Sequence, residues 1–225
     1  MANPRQGRLI AAILVLIGAI LLIVAVFMPW YAFKEPIAAI PGASVTSNTY
    51  PGFPSQSGTV QYSCSGFPSS VPCPSSTSYN GAALNNTAVI AETGFFLLIV
   101  GFVIGIIGTI IGVMSRGTTR RVRPALALSA IAMILAVITP VLFAAALPGA
   151  VSKDLPKATG SGPWSSFIGS SSGASWGPAI GWYIAFVAFV ILLIGVILFF
   201  LYRKEPTPAA APAPAPASPT TPPAQ

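Results

Sequence analysis

Hydrophobic and polar positions along this chain fall into long blocks, with little alternation. Four runs are almost wholly apolar: "LIAAILVLIGAILLIVAVFMPW" (residues 9–30), "AVIAETGFFLLIVGFVIGIIGTIIGVM" (88–114), "VRPALALSAIAMILAVITPVLFAAAL" (122–147) and "PAIGWYIAFVAFVILLIGVILFFLY" (178–202). A bilayer's hydrocarbon core takes roughly 20 residues of helix to cross, and each run is long enough. Runs this long and this free of charge predict a membrane all-α four-helix bundle. The first run exceeds the h-region of a signal peptide and ends in Met28-Pro29-Trp30-Tyr31 rather than in small residues, so it reads as a retained helix. The remaining segments are an N-terminus (1–8), a first loop (31–87), a short loop (115–121), a second loop (148–177) and a tail (203–225).

Within the loops the pattern changes. "SVTSNTY" (44–50) and "GTVQYS" (58–63) are rich in β-branched and aromatic residues and bounded by Pro and Gly. They predict short strands and a small antiparallel β-sheet in the first loop. The second loop is rich in Gly and Ser, which predicts flexibility. Its apolar Trp164 and Phe167 either pack on the first loop or form an exposed contact patch. The Ala/Pro tail predicts an extended, disordered segment.

Composition strengthens the membrane reading: 54% of residues are hydrophobic and 7% charged, against about 25% charged in soluble domains. The charge is also unevenly placed. Arg5, Arg8, Arg116, Arg120, Arg121, Arg123, Arg203 and Lys204 fall on one side of the four runs, and Lys34, Lys153 and Lys157 on the other. This distribution predicts both termini and residues 115–121 in the cytoplasm, with both long loops outside, as in a multi-pass protein of the plasma membrane. The net charge of +7 is then a topology signal, with a secondary pull toward anionic headgroups. No soluble domain offers a basic face, so nucleic acid is not an expected partner.

That orientation decides the chemistry of Cys64 and Cys73, the only two cysteines. Outside the cytoplasm thiols oxidise. With no histidine in the chain, a metal pair lacks its further ligands. A Cys64–Cys73 disulfide pinning the sheet is expected. "NNT" makes Asn85 a candidate glycosylation acceptor.

Four helices, a long first loop, Trp30 closing the first helix and a C-x8-C pair at Cys64 and Cys73 resemble the claudin superfamily, with its peripheral myelin protein and fungal cortical membrane protein relatives. Gln61 stands where the Gly-Leu-Trp-x-x-Cys signature of that family has its Trp. The resemblance implies a β-sheet curling over the four-helix body and a role in contact between neighbouring proteins or cells.

No catalytic constellation emerges. There is no histidine, paired carboxylate, Ser-x-x-Lys motif or Gly-rich phosphate loop, so no enzyme, cofactor, metal or small-molecule substrate is expected. Transport paths need charges or polar linings inside the membrane. The interior offers only Thr109, Ser129 and Thr139, with Pro140 as a source of a kink. Glu92 reads as an interfacial charge near the start of the second helix, solvated or paired.

The clearest packing pattern is Gly101, Gly105, Gly108 and Gly112, which share one face of the second helix. Small residues at this spacing let another helix approach, either within the bundle or from a second chain. Trp30, Tyr31, Trp176, Trp182 and Tyr183 read as an outer aromatic belt and Tyr202 as an inner one. The chain therefore reads as a non-enzymatic membrane protein acting through its loops and helix faces. Lateral self-association is one expectation. An accessory subunit of a larger membrane complex is the alternative, and a small transporter or channel component a weaker one.

Overall fold

The computed structural model describes residues 4–51, 59–73, 77–78, 84–115, 121–154, 166–171 and 173–203. Trp164, the second loop's Lys157, Arg116, Arg120, Lys204 and the Ala/Pro tail lie outside the described residues.

Four helices form the body: α1 (Pro4–Val26), α2 (Asn85–Met114), α3 (Val122–Asp154) and α4 (Ile180–Leu201). All four are long and apolar enough to cross a membrane. α1 packs against α2 and α4, and α3 packs against the same two, while α1 and α3 barely meet across the diagonal. The core is built from small residues and a few large ones: Ala11, Ala12, Ala132, Ala136, Ala185 and Ala188 interleave with Leu22, Leu98, Phe143, Leu192 and Phe199, all buried. The outward faces stay apolar. Ile13, Ile17 and Ile20 of α1, Val103, Ile107 and Ile110 of α2, Ile134 and Ile138 of α3, and Ile194 and Ile197 of α4 are all exposed. A helix apolar on every side has no face suited to water.

Several helix boundaries differ from the sequence expectation: α1 begins at Pro4 and α2 at Asn85, each a few residues early, and the ends of α1 and α3 are displaced. α1 stops at Val26, four residues before Trp30. Pro29 and Trp30 are instead used to tie the chain to its neighbours. Trp30 N–H donates to the Thr49 carbonyl at 2.8 Å, and the Pro29 and Trp30 carbonyls accept from Gly181 at 2.7 Å and Ala179 at 3.0 Å. α3 runs past residue 147 through Pro148 to Asp154, and its last residue bonds to the start of α2.

At the end where α1 finishes and α4 begins lies a six-stranded antiparallel sheet, ordered β4-β3-β2-β1-β6-β5. The strands are β1 (Tyr31–Pro36), β2 (Ser44–Thr49), β3 (Thr59–Ser65), β4 (Thr77–Ser78), β5 (Gly169–Ser171) and β6 (Ala174–Pro178). β2 and β3 occupy the two segments whose composition predicts strands. The second loop, expected to be flexible, instead contributes the hairpin β5–β6, which pairs with β1 from Tyr31↔Pro178 to Lys34↔Ser175. Pairing and a Trp anchor outweigh the weak strand preference of Gly and Ser. Gly173 closes that hairpin at φ +84°, a left-handed conformation that glycine adopts without steric cost.

Candidate functional site: the sheet and the two clamped ends of the bundle

The register sorts the sheet's side chains by face. Cross-strand partners share a face, so one row runs Val60–Thr49–Tyr31–Pro178 and the next Tyr62–Ser47–Phe33–Trp176. Tyr31, Val60 and Trp176 are buried in the core, with Phe33 and Tyr62 packed against it. The opposite face carries Ser63–Thr46–Lys34–Ser175–Ser170 in one row and Gln61–Asn48–Ala32–Gly177 in the next. Gln61, Ser63, Lys34, Ser175 and Ser170 on this face are exposed. The sheet is thus apolar toward the helices and rich in hydroxyls and amides on its free side.

Aromatic packing joins sheet and bundle. Trp30 is fully buried: its ring lies 5.1 Å from that of Phe143, and its indole Nε1 donates to the Ala25 carbonyl at 2.7 Å. That bond satisfies a carbonyl at the C-terminus of α1. Phe167 packs 5.4 Å from Tyr31 and 6.2 Å from Trp182, so it joins the second loop to the first. Burial pushes the Tyr31 phenol above its ordinary pKa. Of the five aromatics expected at an outer belt, Trp30, Tyr31 and Trp176 are core residues. The indoles of Trp30 and Trp176 donate to the Ala25 and Ser166 carbonyls, and an apolar body with a satisfied polar tip is stable in such a place. Tyr183 is exposed, as a belt residue would be.

Cys64 and Cys73 form a disulfide with Cα atoms 5.8 Å apart. It closes the chain just after β3, where Gly66 takes φ +76° and packs so tightly that an added Cβ would lie 2.6 Å from the Gly42 carbonyl oxygen.

Two charged residues clamp the helix ends, and neither role was expected from the sequence. Asp154, the last residue of α3, accepts four hydrogen bonds from the start of α2. Oδ1 takes Asn86 N–H at 2.9 Å and Asn86 Nδ2 at 2.7 Å; Oδ2 takes Thr87 N–H and Thr87 Oγ1, both at 2.8 Å. Asp154 therefore does for α2 what an N-cap side chain does, from another helix. At the far end Arg8, read in the sequence as a topology signal, is 2% exposed. Its Nε donates to the Tyr202 carbonyl at 2.9 Å and its Nη1 to the Ser115 carbonyl at 3.2 Å. These carbonyls cap α4 and α2, where a cation is favoured by the helix dipole. The sequence signal for this burial is the small residues Gly7, Ala11 and Ala12 around Arg8, on the face that packs inward. The signal for Asp154 is fainter: a single acid closing an apolar helix.

The glycine face of α2 packs within the chain. A Cβ at Gly105 would lie 2.9 Å from Ala19 Cβ, at Gly101 3.2 Å from Leu22, at Gly108 3.2 Å from Ser129 Oγ, and at Gly112 2.6 Å from Phe199. A matching set joins α1 and α4 through Gly18 and Gly195. Asn85 is the exposed first residue of α2, and the hydroxyl of Thr87 in its sequon is held by Asp154. Glu92 is half-buried two turns further on. The buried hydroxyls of Thr109, Ser129 and Thr139 donate to the carbonyls of Gly105, Ala125 and Leu135 in their own helices.

In comparisons with known proteins, no family model matches the chain and no curated protein matches it.

Proposed function

We propose that this chain is a multi-pass protein of the plasma membrane that works by contact, with its termini in the cytoplasm and its sheet outside. The observation that carries the reading is the sheet itself. Two loops from opposite halves of the chain join in one sheet whose apolar face rests on the helices and whose polar face is free. A disulfide and close-packed aromatics hold this platform rigid. A rigid surface binds with less ordering cost than a loose loop. Outward helix faces that are apolar on all four helices support the membrane placement. The arginine distribution supports the orientation.

A sheet drawn from both loops, over a four-helix body with Trp30 beneath it, also supports a claudin-like contact or scaffold role. The interior hydroxyls tell against transport, because they are spent on their own helices rather than lining a path. With the glycine face occupied inside the chain, self-association falls to the sheet and the outer helix faces.

Co-expression of two differently tagged copies, followed by mild-detergent capture and mass spectrometry, tests this. The proposal expects the second tagged copy in the eluate, and its loss on reversing the polar face with Lys34→Glu and Ser63→Glu. Stoichiometric unrelated subunits without the second copy would favour an accessory subunit instead.

A further inference from the structure

The two ends of the bundle differ in charge. Among the described residues every carboxylate lies toward the sheet: Glu35 on β1, Glu92 in the early turns of α2, and Asp154 at the end of α3. The opposite end gathers Arg8 near the start of α1, Arg121 and Arg123 at the start of α3, and Arg203 after α4. Arg121, Arg123 and Arg203 are exposed. Arg8 is enclosed, and its Nη2 is the one buried side-chain polar atom without a hydrogen-bond partner among the described residues. Among the described residues the partners of Arg8 are the Tyr202 and Ser115 carbonyls and no carboxylate lies at this end, so its donors are partly satisfied and its charge lacks a described counter-ion, which is costly. The Arg203 guanidinium sits 4.0 Å from the ring centroid of Phe200, which is half-exposed on the apolar outside of α4.

We propose that this basic end docks the phosphate of an anionic phospholipid, with Arg8 Nη2 as the innermost donor and Arg121, Arg123 and Arg203 as the rim. The chemistry is oxyanion recognition by guanidinium groups, which pair with phosphate in planar, two-pronged geometry. The phosphate reaches Nη2 by displacing a covering side chain. Tyr202, half-buried beside Arg8 and with its ring against Gly7, flanks that route. The lipid, rather than free phosphate, is favoured by Arg203: its cationic head lies where the apolar face ends, at the depth of headgroups. The inference rests on the membrane reading above.

The test uses the full chain in nanodiscs of phosphatidylcholine and of a 7:3 mixture of phosphatidylcholine and phosphatidylglycerol. Folded incorporation into the phosphatidylcholine discs checks the membrane reading by itself. The proposal expects the melting temperature to be about 5 °C higher in the mixture, with phosphatidylglycerol retained in native mass spectra. The triple variant Arg121→Gln, Arg123→Gln, Arg203→Gln, compared with its own melting temperature in phosphatidylcholine, should lose most of that rise. Arg8→Lys, which keeps the charge but not the fork, should lose part of it. Four results would overturn the proposal: no rise, a full rise in the triple variant or in Arg8→Lys, an equal rise with inorganic phosphate in detergent, or a Glu205→Gln variant destabilised in phosphatidylcholine, which would make the tail carboxylate the counter-ion.

Discussion

At the scale of single residues, stability turns on groups that satisfy helix ends. Asp154 holds two of the first backbone N–H groups of α2 and two side chains beside them. Asp154→Ala should cost about 1–2 kcal/mol, read as a lower melting temperature in detergent, and Asp154→Asn should cost less because one oxygen remains. Equal melting of Asp154→Ala and the parent would show that the clamp contributes nothing. The sequence displays such residues poorly. A cap supplied from the next helix leaves no local spacing, unlike an N-cap within its own helix. Arg8 misleads for a related reason. A cation before an apolar run is ordinarily a topology signal, and only its small neighbours Gly7, Ala11 and Ala12 mark it as buried.

At the scale of elements, helix contact depends on missing side chains. Gly105 meets Ala19 of α1 so closely that even one carbon would require a shift. Gly105→Leu should drive α1 from α2 and lower stability by about 1–3 kcal/mol or more. Because that neighbour is within the chain, melting should fall even where no oligomer forms. Gly149→Ala is the matched control: nothing lies within 4 Å of its added carbon, and its melting temperature should hold or rise slightly. A Gly105→Leu protein that melts like the parent would mean the close approach is unnecessary.

Strands divide in the same way between legible and hidden. β2 and β3 follow from β-branched and aromatic runs. β1 is obscured by Lys34, Glu35 and Pro36, and β5 and β6 by Ser and Gly, whose strand character comes from pairing and from Trp176 rather than from preference. The disulfide belongs to this scale too. Cys64→Ser with Cys73→Ser should remove about 2–3 kcal/mol of loop constraint. Hydrogen exchange should then quicken first in β3 and its neighbour β2, and unchanged protection there would contradict the pinning role.

The whole molecule is an apolar body with a polar-faced sheet at one end and a basic end opposite. The body was legible because four charge-poor runs leave little choice of architecture. That the second loop completes the sheet was not, because β1–β6 pairing is long-range and is specified by register and packing rather than by composition. The central claim is that this sheet lies outside a membrane crossed by all four helices. Thiol labelling of intact cells with a membrane-impermeant reagent tests it most directly, using single added cysteines at the exposed Ser170 of β5 and the exposed Gln6 of α1. The account predicts labelling of Ser170→Cys in intact cells, and labelling of Gln6→Cys only after the membrane is opened. Labelling of Gln6→Cys with protection of Ser170→Cys, or equal labelling of both in intact cells, would contradict it.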